Sequence, residues 1–256
     1  MSITRIINVI KKKKLLLAVF AVVFWGGSNR IYAEPLAQQA QRIPIVSQEE
    51  IIAFGDATYL FDHREYNSLT LSGGFKNLPL GFNAWGFIDI LSDQNNESNR
   101  FDFTRYFLEY RLRRTLDPEW VMGVKGLGLE VEYNDSNGAN NNLLRFGVNY
   151  KHDIPLIAGQ KSWLQWRYFP IQTNQYTQSQ AGVVYRFGLT ERLYISGFTD
   201  FNIDENGKNR WVTEPQLNYE IIDNVNFVLE GRINEYEGAN VQLSGAGVAL
   251  GLKVLF

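Results

Sequence analysis

No cysteine occurs anywhere in the chain. In an exported protein this excludes disulfide staples, so stability must come from the fold itself. There are only two histidines, His63 and His152, which excludes a histidine-rich metal site. No cofactor is expected. Beyond the first 25 residues, no apolar run approaches the roughly 20 residues that a spanning helix needs. Surplus positive charge is also missing. The chain has 25 Lys and Arg against 27 Asp and Glu. Six of the bases (Arg5, Lys11, Lys12, Lys13, Lys14, Arg30) lie before Ala33, where there are no acids. Without that segment 19 bases face 27 acids, a net charge of −8. A nucleic-acid partner is therefore excluded, since phosphate-binding surfaces need excess cationic charge.

The first segment has its own layout. A basic stretch ending in Lys14 precedes the apolar run Leu15–Trp25, and "GGSNRIYA" leads to the small residue Ala33. This is the order of a secretory signal peptide, with cleavage expected after Ala33. A retained anchor and a buried helix are the alternatives. Residues 34–50 are rich in Gln and Ala and have no period, as expected of a periplasmic lead-in. Residues 51–256 show no linker or composition break and are expected to form one domain.

Almost all of that domain reads with period two, the strand period. The expected strands are Ile51–Asp62, Asn67–Lys76, Leu80–Leu91, Arg100–Arg113, Trp120–Tyr133, Asn142–His152, Ser162–Pro170, Gln178–Leu189, Leu193–Asn202, Arg210–Ile221, Val225–Asn234 and Val241–Phe256. Most have about the 9–11 residues with which a tilted strand crosses a bilayer. Polar connections such as "DQNNESNR" and "NDSNGANN" alternate with short ones such as "LTER" and "IIDN"; "IPLIAGQ" is the longest of the short set. Long loops at one end and tight turns at the other are the pattern of an outer-membrane barrel. The expected fold is an all-β transmembrane antiparallel barrel of about twelve strands, with both termini periplasmic. A β-sandwich remains an alternative. A soluble barrel does not, because about twelve strands would leave an apolar interior largely empty.

The last strand alternates Ala246, Val248, Leu250, Leu252, Val254 and Phe256 with Gly245, Gly247, Ala249, Gly251, Lys253 and Leu255. The apolar set is expected to face lipid. The strand should close on the first, because an unpaired tail in lipid would leave backbone groups unsatisfied. The terminal aromatic resembles the signature that such barrels present to their assembly machinery, so that machinery and the lipid bilayer are expected partners. Trp120, Tyr150, Trp166, Tyr168, Tyr185, Trp211 and Tyr219 fall on the outward face or at strand ends, where rings favour the membrane boundary. They would equally serve cross-strand packing.

The same parity selects an inward set. It contains Asn83, Trp85, Phe87 and Asp89; Tyr194, Ser196, Phe198, Asp200 and Asn202; Arg210, Glu214, Gln216 and Asn218; and Asn226, Glu230 and Arg232. Glu109, Arg111, Lys125, Arg145, Arg167 and Arg186 also point in. A glycine bulge within "KGLG" is expected to restore the alternation after Lys125. Pro215 lacks a ladder donor and should mark a bulge or distortion. Interior charges can be present merely to satisfy one another. Rings beside carboxylates and amides also suit a flat heterocycle bearing hydroxyls. The candidate solute-binding residues are Trp85, Phe87, Asp89, Tyr194, Phe198, Asp200, Asn202, Glu214, Gln216 and Arg232.

"WGFID", "GFTDFN" and "WVTEPQLNYEI" resemble segments of the nucleoside-specific channel-forming (Tsx-like) outer-membrane porins. The resemblance is loose over residues 51–256 and sharpest over 193–219. It implies a twelve-stranded barrel that passes nucleosides, with Trp85, Phe87, Asp89, Asp200, Glu214 and Pro215 at the matching positions. No enzyme is expected. There is no G-x-S-x-G, and neighbours in a strand point to opposite faces, so Asp62 cannot readily orient His63. A structural or adhesive barrel is the other alternative.

Overall fold

A computed structural model describes residues 50–95, 105–136, 142–173, 177–204, 207, 209–235 and 244–256. The expected signal peptide (1–33) and nearly all of the lead-in lie outside the described residues. Twelve antiparallel strands close into a barrel, each hydrogen-bonded to its sequence neighbours and β1 to β12. They are β1 Ile52–Asp62, β2 Tyr66–Leu78, β3 Phe82–Asp93, β4 Arg105–Thr115, β5 Leu127–Ser136, β6 Leu143–Asp153, β7 Trp163–Gln172, β8 Thr177–Gly188, β9 Leu193–Asp204, β10 Arg210–Ile222, β11 Val225–Asn234 and β12 Gly245–Leu255. Closure leaves no open edge, the condition for a sheet that contacts lipid. The seam runs from Asp56 opposite Leu255 to Asp62 opposite Ala249. Gly55 and Phe256 then exchange N–H···O bonds of 2.9 and 3.0 Å, so the last residue is itself paired.

The outward face is apolar along its length. On β12, Val248, Leu250, Leu252 and Val254 are exposed, Leu250 and Leu252 each by 50%. Phe227, Leu229 and Ile233 continue the surface on β11, and Leu71 and Phe75 on β2. Such a continuous apolar surface is far larger than a soluble protein carries. Rings gather toward its two rims. Trp211 packs on Phe201 at a centroid distance of 4.5 Å near the long-loop end. Tyr150, Tyr219 and Trp120 are exposed near the opposite end. The start of β1 and the end of β12 lie at that opposite, short-turn end, where 79–81, 189–192 and 223–224 are tight turns but 116–126 and 154–162 are longer.

Three local expectations need correction. The fifth strand does not begin at Trp120. Pro118–Val121 forms a 3-10 turn whose first free amide is capped by the Asp117 carboxylate, which accepts from the Glu119 N–H at 3.0 Å. Met122, Gly123 and Gly126 then adopt positive φ. The connection therefore spans residues 116–126, much longer than the gap 114–119 between the expected fourth and fifth strands. Lys125 is an exposed turn residue rather than an inward strand residue. Gly126 is not a bulge within a strand but the entry to β5. A Cβ there would stand 1.9 Å from the Lys151 carbonyl oxygen.

Pro215 marks the expected distortion, without a register shift. It pairs with Gly197 on β9, and the β10–β11 ladder passes from Thr213–Ile233 to Gln216–Glu230 in one register. The ladder is interrupted at the proline and its neighbour. Glycine is required opposite, since a Cβ on Gly197 would lie 2.3 Å from the Glu214 carbonyl. The last strand begins at Gly245, which has φ +80°; Val241–Leu243 lie outside the described residues, as do 100–104 of the expected fourth strand.

Candidate functional site: the barrel lumen

Inward facing is fixed by contacts. Parity sends Glu109 and Arg111 of β4, Glu130 and Glu132 of β5, Arg145 of β6, Arg167 of β7 and Asp200 of β9 to the lumen, and there they meet. Glu132 is the centre. Its carboxylate accepts from Arg111 Nε at 3.0 Å and from Arg167 Nη1 at 3.3 Å, and it pairs closely with Arg145. Asn134 Nδ2 adds a bond of 3.2 Å. Arg167 spans from Glu132 to Asp200, with Nη2 2.8 Å from Oδ1. Glu130 accepts from Gln165 at 3.3 Å. Glu132 and Arg167 are buried, as a charged pair can be only when its partners are complete.

A second network joins β11 to β2 across the seam. Arg232 pairs with Glu230 and donates to Tyr66 Oη at 2.9 Å and Ser68 Oγ at 3.2 Å. Asp62 is held by Arg64, with Nη2 to Oδ2 at 2.8 Å and Nε to Oδ1 at 3.0 Å. Gln216 donates to Glu230 and accepts from Lys253 Nζ at 2.7 Å. Beside this network Leu60, Val228 and Ala249 form a small inward apolar cluster, and a Cβ on neighbouring Gly251 would stand 3.0 Å from Leu60 Cα.

The ten candidate residues divide by their partners. Asp200 is committed to Arg167, Asn202 to Gln180 at 2.9 Å, and Arg232 to Glu230. Tyr194 lies flat against the Arg186 guanidinium, 3.5 Å from its ring centroid. Trp85 and Phe87 pack together at 5.3 Å; Phe87 reaches Phe107 at 5.7 Å, and Arg111 covers Trp85 at 5.1 Å. Asp89 accepts from Thr70 and has no cation at ion-pair distance among the described residues. Glu214 has no hydrogen-bond or ion-pair partner among them, with Arg232 acting only at longer range. Phe198 stands opposite Glu214 in the β9–β10 register.

In a ring of twelve strands β3 and β9 are diametrically opposite. The structure thus brings Trp85, Phe87 and Asp89 together on one wall and Phe198 and Glu214 on the facing wall. Asp89 and Glu214 are near enough across the lumen to act electrostatically on each other. These five side chains are half-buried and reach the lumen space.

Sequence reasoning missed Glu130 and Glu132, because the fifth strand was placed too early. The alternation of Glu130, Glu132 and Asn134 with Val131 and Tyr133 carried the signal. The two histidines lie at opposite ends. His63 is exposed, its Nδ1 3.6 Å from Asp62, whose oxygens Arg64 already holds. His152 stacks on Tyr150 at 5.0 Å on the outer face.

No family model and no curated protein matches the chain. Solved barrels do match its backbone. The NanC porin aligns with a TM-score of 0.52 at 9% identity, over 80% of this chain and 99% of that one. The KdgM porin gives 0.48 at 10% identity, over 79% and 99%. The translocator domain of autotransporter NalP from Neisseria meningitidis gives 0.40 at 13% identity, over 90% and 100%. At such identities the likeness to NanC is one of fold: this chain has the closed antiparallel β-barrel architecture of an outer-membrane porin.

Proposed function

We propose that this chain is a bacterial outer-membrane barrel that passes small polar solutes by diffusion, with nucleosides the preferred class. One observation carries the reading. Asp56, Asp89 and Glu214 are lumen carboxylates without a cation at ion-pair distance among the described residues, and of these Asp89 and Glu214 stand beside aromatic rings on facing walls. A base can stack on Phe87, Trp85 or Phe198, while Asp89 and Glu214 accept from hydroxyls and Gln216, held by Glu230 and Lys253, joins the wall. Asp200, Asn202, Tyr194 and Arg232, already engaged by protein partners, shape the wall. Weak successive contacts favour entry without preventing exit, and no energy coupling is needed. On this reading the leader is removed on export, both barrel termini face the periplasm, and the assembly machinery recognises the strand ending in Phe256.

A second reading, a barrel with a structural role and no solute path, draws on the complete burial of Arg167, Glu132, Asn149, Asn226 and Glu230, which thickens the inner wall. Swelling of liposomes containing the refolded barrel separates the two. Faster swelling in nucleosides than in sugars or amino acids of similar size is expected. Swelling in none of them supports the structural reading, and equal rates remove the nucleoside preference.

A further inference from the structure

The cations of the lumen are not all paired with carboxylates. Arg111, Arg145, Arg167 and Arg232 each lie within 4.0 Å of a carboxylate. At the short-turn end the pairing stops. Lys76 near the end of β2, Arg113 near the end of β4, Lys151 near the end of β6 and Lys161 in the connection 154–162 have no carboxylate at ion-pair distance among the described residues. They are nevertheless gathered, because Lys76, Arg113 and Lys161 all lie close enough to repel the Lys151 charge. Asp153 and Glu130 act on the group only from longer range.

Parity explains the convergence. Ser68, Thr70 and Ser72 of β2 bond to inward residues, so Lys76 follows them inward. Arg113 follows Arg111, and Lys151 follows Arg145 and Asn149. All three strands descend to the same end. What these side chains touch is ring or backbone. The Lys151 ammonium lies 4.0 Å from the Trp163 ring centroid and the Lys76 ammonium 5.1 Å from that of Phe54. Arg113 donates to the Gly126 carbonyl at 3.2 Å, while its Nε is buried without a partner. A cavity of about 490 Å³ meets the group at Lys161; Arg186, Tyr194, Gln160 and the carboxylate of Glu191 also line it. Like charges held together without counter-charges repel and destabilise the compact state. Four lumen arginines are neutralised by carboxylates, whereas this set, like Arg186 on the cavity wall, is left without one among the described residues.

We propose that Lys76, Arg113, Lys151 and Lys161 form a binding collar for an anionic group, phosphate or carboxylate, carried by a small soluble solute at the short-turn mouth of the lumen. The inward aim of the three strand residues excludes a lipid headgroup as the source. The inference rests on the channel reading for how such a solute arrives.

The test is calorimetric titration of inorganic phosphate into the refolded mature barrel in uncharged detergent micelles, paired with single-channel recording in planar bilayers. Saturable phosphate binding is expected, weakened at least about tenfold in the double variant Lys76→Gln/Lys151→Gln, the loss that removal of charged hydrogen bonds brings. Lys151→Arg should retain binding, as should Lys125→Gln in the neighbouring exposed turn. If the double variant does not refold, Lys161→Gln, in a surface connection, carries the same expectation. Absence of saturable binding overturns the collar, as does equal binding by the collar and Lys125 variants. Phosphate binding by a barrel that passes no current leaves the collar standing and overturns the channel.

Discussion

Glu132 and Glu214 are both glutamates on inward faces of the same barrel, and they live in opposite circumstances. Glu132 lies against three guanidinium groups, from Arg111, Arg145 and Arg167, and is buried. Glu214 has no such neighbour at ion-pair distance and reaches the lumen. A buried carboxylate and its arginines stand or fall together, because removing one partner strands the others in a medium that solvates them poorly. A carboxylate without partners in a wet lumen contributes little to folding and remains available to a passing molecule. Position on a strand therefore does not assign a lumen charge its role; its completed or missing partnership does. Asp200 and Asp89 repeat the contrast, the first bound to Arg167 and the second held only by Thr70.

The largest effect is expected at the paired wall. Glu132→Ala leaves three arginines without their shared counter-charge and should cost about 3–5 kcal/mol, read by urea unfolding in vesicles. Glu214→Gln should change the same measurement by no more than about 0.5 kcal/mol, the range of substitutions away from packed features. Equal costs at the two sites would break the comparison. Next in size is the outer face. Leu250→Arg should destabilise by about 2–4 kcal/mol if Leu250 lies near the bilayer midplane. Lys253→Leu, on the inner face of the same strand, should cost less, although it frees Gln216 and Asn218 from the ammonium. The reverse order would contradict the assignment of faces. The smallest of the three concerns solute. Phe87→Ala and Phe198→Ala should each weaken adenosine block of the ion current by about 1–3 kcal/mol, the worth of a base stacked on a ring. Neither substitution should alter conductance in simple salt by a comparable factor.

The fold was legible because a barrel surface imposes its period on nearly every residue. Leu250, Leu252 and Val254 must face outward, so Ala249, Gly251 and Lys253 face inward, and the same rule orders all twelve strands. It failed where local turn chemistry overrides alternation. "DPEW" contains a capping Asp and a Pro suited to the first turn of a helix, and these outweigh the strand-like spacing of Trp120, Met122 and Val124. That error hid Glu130 and Glu132 and lent Lys125 a face it does not have. Pro215 meets the expectation of a distortion, since the β10–β11 ladder is interrupted there, but Gly197 opposite lets the strand continue in register without a bulge. The candidate site was legible as a list of inward residues and illegible as a set of partnerships. Parity says that Asp200 and Glu214 share an interior, but it cannot say that Arg167, two strands from Asp200, claims one of them and no arginine claims the other.

Single-channel recording of the wild-type barrel and of Glu214→Gln, with adenosine added as blocker, tests the central claim most directly. The account predicts a conducting wild-type barrel whose current adenosine interrupts, and a variant of unchanged stability in which those interruptions become shorter. An inserted barrel that conducts but is not blocked by adenosine, or whose block is the same with Gln at position 214, would contradict it.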